Sequence, residues 1–135
     1  MKNLHLWVIA LTALVVLASC KKSETCLINE PDDALQGRWN YAAHYYSIGS
    51  PGDWHPVPAG QWIELRSNGT VVSSVTPYSS AATYQVMDSM HLKFIIKPGR
   101  DSLLYLYSLR GDTLELSPYA PMCVEGCADR FLRKR

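Results

Sequence analysis

The chain carries no excess of charge: 13 Lys and Arg stand against 12 Asp and Glu in 135 residues, and charged residues total only 19%. That balance excludes the polybasic surface that nucleic acid attracts. Long hydrophobic runs are also missing. The longest, residues 6–17, has twelve residues, whereas a membrane-spanning helix needs ~20. Catalytic signatures are lacking too: there is no His-x-Glu, His-Glu-x-x-His or Gly-x-Ser-x-Gly. His44, His55 and His91 are scattered, Asp32-Asp33 reads as a solvated pair, and Glu64 as a strand-surface acid. A non-enzymatic protein without a cofactor is therefore expected. What is present is aromatic: eight Tyr and four Trp within 47% hydrophobic residues. Such a composition excludes a disordered chain, and the length fits one domain.

Lys2 and His5 precede the apolar run, and the small residues Ala18 and Ser19 lead directly to Cys20. A short basic start, a short apolar core and small residues are a secretory signal. Leu17-Ala18-Ser19-Cys20 resembles the lipobox of bacterial lipoproteins, which implies cleavage before Cys20 and acylation of its thiol. Two or more acyl chains anchor stably where one is marginal. Lys21 after the Cys resembles outer-membrane sorting, so the expected location is the bacterial cell envelope, with the periplasmic or the surface face left open. The expected organisation is a signal peptide over 1–19, a lipidated Cys with a polar, Pro-containing tether over 20–34, and a domain over 35–135.

Beyond the tether the hydrophobic period is two. Trp39, Tyr41, Ala43 and Tyr45 alternate with Asn40, Ala42, His44 and Tyr46. Further strands are expected at residues 63–66, 71–76, 83–86, 92–97, 102–109 (apolar on both faces), 114–116 and 128–134. Asn68-Gly69, residues 87–90, residues 98–101 and Gly111-Asp112 punctuate them as tight turns. About eight evenly spaced strands predict an all-β fold, a single up-and-down antiparallel β-barrel, with a flattened sandwich as the competing architecture.

Gly37-Arg38-Trp39 at the first strand resembles the Gly-x-Trp signature of lipocalin-like proteins. The close, Cys123-x₃-Cys127-x₂-Arg130-Phe131, is similar to that of lipocalin-like lipoproteins of Bacteroidetes-type bacteria. Gly52-x-Trp54-x-Pro56, Ile63-Glu64-Leu65 and Gly111-Asp112-Thr113-Leu114 fit the same group. The resemblance covers about residues 35–135 and implies the fold more than the activity. It also implies that the opening Trp39 packs at the closed barrel end beneath a basic residue of the last strand: Arg130 first, Arg133 second. Asp88-Ser89-Met90, Asp101-Ser102-Leu103 and Asp112-Thr113-Leu114 resemble the O-glycosylation acceptor of such bacteria. Turn chemistry accounts for the same triplets without a sugar.

Removing Cys20 leaves Cys26, Cys123 and Cys127. An oxidising compartment favours a bridge. Cys123–Cys127 is the preferred pairing, with Cys26 to either of them as the alternative; a metal site is not expected, because structural zinc uses four ligands and tighter spacing.

The longest irregular stretch, residues 47–60, holds three Pro and three Gly with Trp54 among them. Loops of this length are commonly functional. Parity from Trp39 turns Tyr41, Ala43 and Tyr45 inward, with Phe94 and Tyr105 facing them. Tyr41, Tyr45, Trp54, Phe94 and Tyr105 are thus the candidate cavity or mouth residues, suited to a small hydrophobic or amphipathic ligand. The partners implied are membrane lipid through Cys20 and this ligand. The other reading is a filled barrel whose outer surface contacts a protein.

Overall fold

The alternating runs pair as one antiparallel sheet that curls almost onto itself. A computed structural model describes residues 32–49, 51–97, 101–124 and 126–135. Cys20, Cys26 and the signal segment lie outside the described residues. Among the described residues the strands are β1 (Gly37–Tyr46), β2 (Asp53–Pro56), β3 (Trp62–Leu65), β4 (Val71–Ser73), β5 (Ala81–Val86), β6 (His91–Ile96), β7 (Ser102–Arg110), β8 (Thr113–Ala120) and β9 (Cys127–Arg133). One turn of 3₁₀ helix, Tyr78–Ser80, precedes β5.

The order around the sheet is β4-β3-β1-β9-β8-β7-β6-β5, with β2 pairing β1 beside β3. β3 lies against the first half of β1 and β2 against the second, so the two act as one broken strand. Counted that way, eight strands run up and down around the barrel. Thr70 bridges Thr83, and Tyr84 N–H donates to Gly69 O at 2.8 Å. These contacts nearly close the gap between β4 and β5, leaving little free edge. The fold is a lipocalin-like barrel.

One expectation about the loops needs correction. Residues 47–60 are not wholly irregular, since β2 forms within them. Pro56 and Pro58 lack ladder N–H groups and end that strand, although Val57 N–H still reaches Ala42 O at 3.2 Å. Asn68-Gly69 forms the expected turn, between β3 and β4, with Gly69 at φ +78° and the Asn68 side chain accepting from the backbone N–H of Thr70.

One end of the barrel is shut. The turn around Asp33 brings Leu35 beneath the barrel, fully buried, and Trp39 Nε1–H donates to its carbonyl at 2.9 Å. Arg133, opposite Trp39 in the β1–β9 register, lays its guanidinium 4.0 Å from the indole centroid. It also donates to Gln36 O at 2.9 Å and to Ala34 O. The partner of Trp39 is therefore Arg133 and not Arg130. Asp129, Phe131 and Arg133 share the inner face of β9, whereas Arg130 points outward, 3.7 Å over the Trp54 ring and paired with Glu115.

Above this floor the interior is packed. Ile63, Leu65, Leu92, Phe94, Leu114, Leu116 and Phe131 are fully buried. Tyr78 drops in from the opposite end against Phe94, Tyr105 and Phe131, with ring centroids 5.3–5.8 Å away. Offset and edge-on aromatic contacts of this kind add to the area buried.

Candidate functional site

A β-bulge between Tyr41 and Ala43 sets up the site. One extra residue on β1 reverses which later side chains face inward. Tyr41 keeps the inward parity of Trp39, but beyond the bulge His44, not Ala43 or Tyr45, turns to the interior and stands opposite Asp129 of β9.

Among the described residues Asp129 is the one buried charged residue, 8% exposed. Its Oδ1 accepts from Tyr41 Oη–H at 2.6 Å and lies 2.7 Å from His44 Nδ1. Its Oδ2 accepts from Tyr78 Oη–H at 2.5 Å. A carboxylate only accepts, so Nδ1 of His44 carries the hydrogen of this contact. Among the described residues no buried side-chain nitrogen or oxygen lacks a partner. The network ties β1, the 3₁₀ turn and β9 together.

Burial, reinforced by the Asp129 charge, holds the Tyr41 and Tyr78 phenols well above the ordinary tyrosine range. Burial also moves Tyr84 from 10.0 to about 12. The folded chain thus keeps these protons when the unfolded chain releases them, so the stability they provide is complete below pH 10 and drains as pH rises through about 12. In a pH series of urea denaturations, the midpoint should fall across that alkaline window. Tyrosinate absorbance of the native protein should show a late group ionising with unfolding. A single normal transition for all eight tyrosines, without loss of stability, would refute the tightly held phenols.

Beside Asp129 the mouth opens into a pocket of about 460 Å³. Tyr41, His44 and Asp129 give it a polar lining, and Pro77, Leu103 and Met122 are among its apolar residues. It lies between the loop after β4 and the connection from β8 to β9, at the end away from Trp39. The Cys123–Cys127 disulfide, Cα atoms 5.8 Å apart, closes that connection at the rim.

The five residues expected at a cavity separate. Tyr41 and Tyr105 line the mouth pocket. Tyr45 and Trp54 instead face each other on the outer wall, ring centroids 5.4 Å apart, lining a shallower hollow of about 380 Å³. The cause for Tyr45 is the bulge. Gly52 lets this corner pack, because a Cβ there would sit 2.5 Å from Tyr46 O. Phe94 is fully buried below. His44, Tyr78 and Asp129 were not expected at the site. Asp129 had a legible signal, an acid on the same strand face as Phe131; the other two had none.

The other two described histidines lie elsewhere: His91 contacts Asp88 at an exposed turn, 2.8 Å, and His55 stacks on Tyr46. Among the described residues no three His, Cys, Asp or Glu side chains group as a metal site, and no helix is long and apolar enough to cross a membrane. Compared with known proteins, the chain matches no family model and no curated sequence.

Proposed function

We propose that this protein binds a small amphipathic molecule in the barrel mouth and is held to a bacterial envelope membrane through an acylated Cys20. The observation that carries the reading is the pocket of about 460 Å³, within the size of small-molecule sites and mixing an apolar lining with a few convergent polar groups. A lipocalin-like barrel is compatible with such a role. The interior below is filled by Tyr78, Phe94 and Phe131, so the ligand is small and sits at the mouth, not along the barrel axis.

The first described residue, Asp32, lies under the floor closed by Leu35 and Trp39, at the end of the barrel away from the mouth. Eleven residues, 21–31, separate it from Cys20, a reach of roughly 40 Å at ~3.3–3.6 Å per residue.

A second reading rests on the rim. Ile48, Met122 and Val124 are 76%, 68% and 95% exposed, an apolar fringe that a protein partner would cover. Native mass spectrometry of the mature chain from Lys21 onward, exported without lipid and recovered from envelope extract, separates the readings. A stoichiometric non-covalent adduct is the expected result. A bare mass at saturating extract overturns ligand binding in favour of the rim contact. The anchor is checked by the mass of the membrane-extracted chain, which should carry acyl groups on an N-terminal Cys20.

A further inference from the structure

Asp129 is held by three donors, and a carboxylate offers about four acceptor positions. Oδ1 takes two donors and Oδ2 takes one. Asp129 nevertheless lines the pocket, so its charge borders whatever enters. His44 beside it is bonded to that carboxylate through Nδ1, with its ring half-exposed. Tyr41 and Tyr105 add aromatic walls, and no Lys or Arg is among the described lining residues. The mouth therefore offers a buried carboxylate and aromatic rings, with no lysine or arginine among those residues to receive an anion.

We propose that the ligand is an apolar molecule bearing a protonated amine, whose ammonium group is received by the Asp129 carboxylate between the Tyr41 and Tyr105 rings. This rests on the reading that the mouth binds a ligand, and it names that ligand's polar end. An ammonium donates to the carboxylate and is attracted by aromatic faces. A fatty acid of the same length brings its carboxylate to Asp129 and is repelled. A neutral alcohol makes one uncharged hydrogen bond and lies between. Asp129 is also a structural tie between strands, so stability alone does not reveal the binding role; selectivity does.

The test is calorimetric titration of the mature chain at neutral pH with octylamine, octanol and octanoate. Octylamine should bind about tenfold more tightly than octanol, the difference between a charge-assisted and a neutral hydrogen bond, with octanoate weakest. In Asp129→Asn the amine preference should vanish while octanol binding persists. Ala120→Trp, at the exposed end of β8 in the pocket lining, should abolish binding of all three. Octanol or octanoate equalling the amine overturns the assignment of the polar end and leaves the mouth reading intact. So does an amine preference that survives Asp129→Asn. Binding of none of the three overturns both readings. Should Asp129→Asn fail to fold, the wild-type series decides alone.

Discussion

Asp129→Ala should lower stability by about 2–4 kcal/mol, with most of the loss coming from the hydroxyl of Tyr78. A buried donor left without an acceptor costs ~1–3 kcal/mol. Tyr78 is fully buried and Tyr41 partly so, while water can reach the His44 ring. The costs therefore rank Tyr78, then Tyr41, then His44. The interpretation makes a sharper demand on a triple variant. Replacing Tyr41 and Tyr78 by Phe together with Asp129→Leu removes acceptor and phenol donors at once, and should recover most of the stability lost by Asp129→Ala, because matched apolar replacement of a polar group can be nearly neutral. Urea midpoints at constant m-value measure all of these. A loss below about 1 kcal/mol for Asp129→Ala would mean that water satisfies the stranded phenols, and the dry network would be abandoned.

The wall of the barrel was legible because period-two patterning is a one-dimensional property. Leu92 and Phe94, or Leu114 and Leu116, declare an inner face by alternation, and Gly111, at φ +57°, sits where a two-residue hairpin calls for glycine. The pairing of Cys123 with Cys127 was legible from their separation. The mouth was not, for two physical reasons. A bulge leaves no mark in composition, yet the one at Ala42 exchanges His44 for Tyr45 on the inner face and so rewrites the site. Tyr78 lies on a 3₁₀ turn between strands, outside any repeating pattern, and reaches the core only because the chain folds back over the open end. The choice between Arg130 and Arg133 failed for a related reason. Both lie on β9, but only a count from Phe131 places Arg133 on the inner face, opposite Trp39.

Trp39→Ala should be the most damaging single change at the closed end, costing about 3–5 kcal/mol as expected for a buried Trp truncated to Ala. The indole is fully buried, donates to Leu35 O and carries the Arg133 guanidinium on its face. Its loss leaves a hole between Leu35 and the sheet, and removes the surface on which Arg133 rests. Arg133→Met tests the arrangement from the other side. It keeps apolar bulk over the indole but drops the donors to Ala34 O and Gln36 O, so residues 32–36 should exchange amide hydrogens faster while the β1–β9 pairs stay protected. Arg130→Ala should cost less than about 1 kcal/mol, because its ion pair with Glu115 is partly exposed and screened. The order Trp39→Ala, then Arg133→Met, then Arg130→Ala is the signature of a floor locked by Arg133. A reversed order of the two arginines would return the role to Arg130. Loosening this floor should leave octylamine binding at the mouth, at the other end of the barrel, intact.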